Sequence, residues 1–299
     1  MKKKLLPVLV SEFSKRKMAD CDNNEFVMVS IEGDIGAGKS TLMNFIRMVL
    51  VLLGYEVVIA REPVDMWISS PVPDINGKIH PDAECKNMLG VQYEDAHTRS
   101  MIQADFYTTR VKVQREAINK AREIFKRTGK KPIILTERSR ISDFFVFGNI
   151  GRLSGAINDE GWIVYNHVIE VNPMITPDLV VYLRTEFETC RDRSFLRARN
   201  GEVKVDKDGK KQHKIDRQYH KTVSDQHDAV FGPKGTHPAD FQFDGTTSIT
   251  DMDDESKKQH YIDVFRAILE AFGETPEAIE TLKNTNIADL QEGLAAIVS

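Results

Sequence analysis

The chain has 299 residues, of which 41% are hydrophobic, 29% charged and 8% aromatic, and its formal net charge is -4. That balance excludes collagen-like, disulfide-dense and disordered classes, and it offers no global attraction to nucleic acid or an anionic membrane, so any anion site must be local. The longest apolar run, Met48 to Leu53, falls well short of the roughly 20 residues that a bilayer span needs.

Residues 1–24 carry six Lys/Arg against one Glu in their first 19 positions and read as a flexible basic arm. A mitochondrial transit peptide is the sharper alternative, although the arm is Lys-rich rather than Arg-rich. The main domain spans 25–272. It opens on FVMVSIEG, a nearly all-apolar run expected of a strand buried on both faces of a parallel sheet. A glycine loop follows, then the helical KSTLMNFIRMVLVLLG, closed by Gly54. YEVVIAREP supplies a second strand, ended by Pro63. Residues 95–126 lack Gly and Pro and predict one long helix or two in tandem.

PIILTERS (132–139) and PDLVVYLR (177–184) are two further strands, each opened by proline and followed by a helical pattern. Strands alternating with helices predict an α/β fold with a doubly wound parallel sheet. The stretch 203–214 holds five Lys, two Asp and the turn signal Asp208-Gly209, which predicts an exposed hairpin or loop. DFQF (240–243) fits a fifth, edge-like strand. YIDVFRAILEAFG (261–273) has the pattern of an amphipathic helix, and 273–299 that of an acidic helical extension. Cys21, Cys85 and Cys190 match no disulfide or metal spacing, which fits a reducing, cytoplasmic setting.

The strongest motif is Gly33-Asp34-Ile35-Gly36-Ala37-Gly38-Lys39-Ser40, followed by Thr41, which matches G-x-x-x-x-G-K-[ST] between a predicted strand and a predicted helix. Its glycines let successive N–H groups point at phosphate oxygens, and the helix N-terminus adds partial positive charge. Lys39 would reach the β and γ phosphates, and the Ser40 hydroxyl would ligate Mg²⁺. Ligands of open α/β sheets gather at the carboxyl ends of the strands. Glu137 is placed there as a second metal contact, with Arg138 beside it to stabilise charge on a transferred phosphoryl group. A structural Glu/Arg pair capping the strand explains the same positions.

Glu62, at the end of the second strand, is the candidate base for an acceptor hydroxyl, and an N-cap or surface acid before Pro63 is the plain alternative. Arg193 and Arg197 share a helical face, with Arg199 beyond them; like charges so spaced repel, so an anion should compensate them. A solvated basic face and an arginine lid over phosphates both fit. His213, His220 and His227 are spaced by seven and could share a helical face, a spacing ill suited to zinc.

The order IEGDIGAGKST, REPVDMW, Gln103 with Arg110, TERSRISDFFVF and YLRTEFETCRDRSFLRARNGE resembles the deoxyribonucleoside kinase family, deoxycytidine/deoxyguanosine kinase-like, over roughly 25–272. The resemblance implies a P-loop kinase fold, a five-stranded parallel sheet flanked by helices, with an arginine-bearing lid at about 191–214 into which the insert 203–214 is built. It implies ATP as donor, Mg²⁺ held by Ser40 and Glu137, and Glu62 as base for the 5′-hydroxyl. Arg138 would lie at the acceptor end of the phosphate, and Arg193, Arg197 and Arg199 match the lid arginines.

Glu202 with Tyr93 would bind the sugar 3′-hydroxyl, and Gln103 would read the base edge, offering both donor and acceptor. Trp67 and Phe147 would sandwich the base. Arg110 and Asp143 match the pair found in members favouring deoxycytidine and deoxypurines over thymidine, and the family implies a homodimer. Phe106 departs from the pattern, replacing a small residue beside the base. The nearest rival, thymidylate kinase, would show Asp-Arg where this chain has Glu137-Arg138; a noncatalytic kinase-like subunit would have shed Lys39 or Glu62.

Overall fold

The computed structural model describes residues 25–247 apart from 53, 95–97 and 200. The basic arm, the helix expected at 261–273 and the acidic extension lie outside the described residues. Strand β1 (Val27–Glu32) leads through the glycine loop into α1 (Lys39–Leu52), and β2 (Val57–Ala60) follows. After it come α2 (Val64–Ile68), the short pair β3 (Ser70–Pro71) and β4 (Cys85–Lys86), α3 (Met88–Glu94) and α4 (Arg99–Thr128). The second half holds β5 (Ile133–Glu137), a π-helical turn (Ser142–Gly148), α5 (Asn149–Leu153), α6 (Asp159–Val171) and β6 (Leu179–Arg184). It closes with α7 (Phe187–Arg197), β7 (Val203–Val205), β8 (Lys211–His213), α8 (Arg217–Phe231) and β9 (Phe241–Asp244).

Five strands form a parallel sheet in the order β2-β5-β1-β6-β9. β1 sits at its centre, with Val29 facing Leu135 on one side and Leu179 on the other. Burial on both faces explains why its sequence is apolar almost throughout, with no alternation. Val29, Ile31, Leu135 and Val181 pack with Leu42, Met43 and Ile46 of α1 on one face. Met28, Ala60 and Ile134 pack with Ala117, Ile118 and Ala121 of α4 on the other. Each fully buried aliphatic side chain contributes about 1.5–3 kcal/mol, so these two layers hold the strand ends where the site is built.

DFQF is indeed the fifth strand, an edge strand paired in parallel with β6. Residues 203–214 form the β7–β8 hairpin, with Gly209 at φ 78° in its turn. Within 95–126 the chain makes one helix, α4, ended by Gly129 at φ 68° in a left-handed cap. The π turn at 142–148 was not foreseen: its wider spiral turns Asp143 into the core while Phe147 stays half-exposed.

Candidate active site

The glycine loop joins β1 to α1 and is shaped by its neighbours. Gly36 and Gly38 have φ of 86° and 100°, and a Cβ on Gly36 would lie 2.1 Å from the Cys190 carbonyl oxygen of α7. Only glycine fits there. Lys39 Nζ donates to the Asp34 carbonyl at 2.9 Å and lies 4.0 Å from Glu137 Oε1. Burial, with Arg138 adding to it, pushes the Lys39 amine down to about 8. The Ser40 hydroxyl is 3.2 Å from both carboxylate oxygens of Glu137. A hydroxyl and a carboxylate converging beside a phosphate cradle form a hard oxygen donor set, which fits Mg²⁺.

Across the cleft lies Glu62, two residues beyond the end of β2 rather than on it. Its Oε1 accepts from Arg110 Nη2 at 2.6 Å and from Arg138 Nε at 3.1 Å. Burial alone would raise the Glu62 pKa, but the charges of Arg138, Arg110 and Lys39 win and hold it far below the usual carboxylate range. Arg110 reaches Asp143 with its other terminal nitrogen, and Gln103 Nε2 donates to Asp143 Oδ1 at 2.9 Å. The Tyr165 hydroxyl also donates to Asp143. Arg110 therefore ties Gln103 and Asp143 to the carboxylate next to the phosphate loop.

Aromatic side chains line the same cleft. Trp67 and Phe147 both face the cleft, and Trp67 is stacked on Phe106, with centroids 4.1 Å apart and planes at 24°. The Arg110 guanidinium lies 4.8 Å from the Trp67 ring, and Arg138 lies 4.7 Å from that of Phe147. Phe106 thus covers one face of the Trp67 ring.

The lid arginines divide. Arg197 donates to both oxygens of Glu202 at 2.8 and 2.6 Å, and Arg199 lies 3.5 Å from Glu202 Oε1. The anion that offsets their repulsion is this chain's own carboxylate, and Glu202, expected on the sugar, is engaged by both arginines. Arg193 leaves the group and donates to the Gly245 and Thr246 carbonyls at 2.6 and 3.0 Å, with Ala37 O at 3.5 Å. Tyr93 lines the cleft and meets Tyr219 edge-on at 5.9 Å.

Several participants escaped the sequence. The three histidines do not share a helix: His213 is on β8, and only His220 and His227 lie on α8. Both of those are fully buried behind the phosphate loop, where His220 Nε2 is 3.1 Å from Ile35 O and 3.4 Å from Asp34. Their spacing of seven was the available signal, since it puts both on one face. Glu32, the last residue of β1, is fully buried with neither oxygen hydrogen-bonded among the described residues, and burial raises its pKa despite Ser139 and Arg138 nearby. Nothing in its sequence context marked it.

No described helix is long and apolar enough to cross a membrane. Residues 29–272 match the family model described as deoxynucleoside kinase. The chain is 32% identical over 187 residues to a probable deoxycytidine kinase of Fowlpox virus (strain NVSL), covering 60% of this chain and 65% of that one. It is 29% identical to the deoxycytidine kinase of Bos taurus, covering 62% and 71%. Mitochondrial thymidine kinase 2 of Homo sapiens matches at 27%, over 58% and 57%. The chain thus matches about two thirds of the length of its first relatives. A solved deoxyadenosine kinase from M. mycoides with bound dCTP shares the fold, with a TM-score of 0.52 at 18% identity, covering 81% of this chain and 100% of that one. Because the family model spans most of the sequence, the chain belongs to the deoxynucleoside kinase family.

Proposed function

We propose that this protein transfers the γ-phosphate of ATP to the 5′-hydroxyl of a deoxyribonucleoside, favouring deoxycytidine or a deoxypurine over thymidine, in nucleotide salvage. The observation that carries this reading is Glu62, which sits between Arg110 and Arg138 and faces the loop of Lys39 and Ser40. Its Oε2 makes no hydrogen bond among the described residues and is the oxygen left for the acceptor hydroxyl. So acidic a carboxyl is a weak base. It orients the hydroxyl and takes the proton late, once bonding to phosphorus has made that proton acidic.

The loop N–H groups and Lys39 hold the donor phosphates, and Arg138 offsets charge on the equatorial oxygens as it transfers. Ser40 and Glu137 would hold Mg²⁺, which when bound neutralises charge on the bridged phosphate oxygens. Gln103 presents both a donor and an acceptor to the base, and Arg110 with Asp143 supports a base whose edge bears an exocyclic amine, which cytosine, adenine and guanine carry and thymine lacks. Exposed apolar residues on α6, Ile163 at 54% and Val164 at 56%, support a homodimer. Cys85 and Cys190 are free thiols, in keeping with the cytoplasm.

Initial rates with ATP and Mg²⁺ against deoxyadenosine, deoxyguanosine, deoxycytidine, thymidine and thymidine monophosphate test this. Turnover of deoxycytidine or a deoxypurine is expected. Preference for thymidine would refute the specificity, turnover of the monophosphate alone would favour the thymidylate kinase reading, and inactivity on all five would favour a noncatalytic role.

A further inference from the structure

Arg138 is held more tightly than its assigned role requires. Its backbone is in the left-handed region at φ 69°, unusual for a residue with a side chain, and its amide donates to Ile31 O at 3.1 Å. The side chain is 2% exposed. Nε donates to Glu62, and Nη1 makes two bonds of 2.9 Å, one to Gly33 O and one to His227 Nε2. Nη2 has no hydrogen-bond partner among the described residues.

The histidine has only one state compatible with its neighbours. His227 Nδ1 lies 2.8 Å from the carbonyl of Val223, one turn back on α8. A carbonyl can only accept and a guanidinium can only donate, so Nδ1 carries the proton and Nε2 offers its lone pair. Burial and the nearby Arg138 charge push His227 down to about 3, which keeps it neutral at working pH.

We propose that His227 is a positioning residue for phosphoryl transfer: its unprotonated Nε2 pins Arg138 Nη1, leaving Nη2 to meet the transferred phosphate. This rests on the assignment of Arg138 above. With the acceptor gone, the guanidinium keeps Gly33 and Glu62 but loses one of the two acceptors that hold Nη1, and with it part of the restraint on where its plane lies in the cleft. Phosphoryl transfer is sensitive to such orientation because the protein's contribution is largely placement of charge.

The test uses the full chain with His227→Leu, which removes the acceptor at similar volume, and His227→Gln, whose amide oxygen can take the place of Nε2. The Leu variant is expected to lose about 10- to 100-fold in kcat, as supporting hydrogen bonds commonly do, with KM for nucleoside and ATP little changed. The Gln variant is expected to recover most of that loss. Combined with Arg138→Gln, His227→Leu should add no further loss, because both act through one group. Unchanged kcat in His227→Leu, or losses that multiply in the double variant, would overturn the proposal. A fully active Arg138→Gln would instead remove the Arg138 assignment itself. Should the variants not fold, the ¹⁵N resonance of His227 Nε2 in the unaltered protein decides: an unprotonated, pyridine-type nitrogen between pH 5 and 8 is expected, and a protonated one would refute it.

Discussion

Arg138 donates its Nε hydrogen to Glu62 Oε1 at 3.1 Å, joining the residue after β5 to the loop after β2 across the cleft. The bond places a positive charge beside the Glu62 carboxylate, and Arg110 adds a second, donating to the same oxygen at 2.6 Å. The acidity of Glu62 and its orientation therefore have one cause.

Glu62→Gln is expected to lower kcat by at least about 100-fold while nucleoside KM changes little, because the loss falls on the proton-accepting oxygen. Near-normal turnover would exclude Glu62 from the reaction.

With its folded pKa below the ordinary 4.5, Glu62 should impose no acid limb on kcat between pH 7 and 5. The same depression stabilises the folded state above pH 4.5, and that stabilisation is lost as pH falls through the lower folded value. Comparing wild type with Glu62→Gln by urea unfolding should show the stability gap narrowing below pH 4.5.

Lys39 behaves oppositely. Its amine is protonated at pH 7 and loses its proton as pH rises through about 8, so kcat/KM for ATP, which reports ionisations of the free enzyme, should fall between pH 7.5 and 9. A flat profile would mean that the ammonium is retained there.

Arg110→Met removes the cation that pairs with buried Asp143 and leaves Arg138 as the remaining donor to Glu62. A loss of about 3–5 kcal/mol is expected in denaturant unfolding, as for other broken buried pairs. Asp143→Asn combined with Arg110→Met should recover part of it, since the buried charge left without its cation is then gone.

Phe106→Ala removes the ring that lies on Trp67. It should cost about 3–5 kcal/mol of stability and shift kcat/KM toward deoxypurines relative to deoxycytidine. An unchanged ratio in a folded variant would show that Phe106 does not bound the base site.

Much of this architecture could be read from one chain. The glycine loop needs particular residues at fixed short spacing, because the backbone itself must curl around phosphates, so Gly36, Gly38, Lys39 and Ser40 announce themselves. Strands buried on both faces are equally visible, since β1 and β5 cannot carry exposed polar residues without breaking the layers. Even the edge strand at Phe241 and the hairpin turn at Gly209 followed from short-range pattern.

What the sequence by itself determined is thus the phosphate loop, the parallel sheet and the list of charged residues at its strand ends. Only the tertiary structure decided how those residues pair. Glu202 takes Arg197 and Arg199, Phe106 takes Trp67, and Arg138 takes Glu62, Gly33 and His227, 89 residues away. Those choices depend on which side chains packing brings within 3 Å or so in a dry cleft, where an unpaired charge costs several kcal/mol, and for the pairs far apart in sequence no local spacing encodes that.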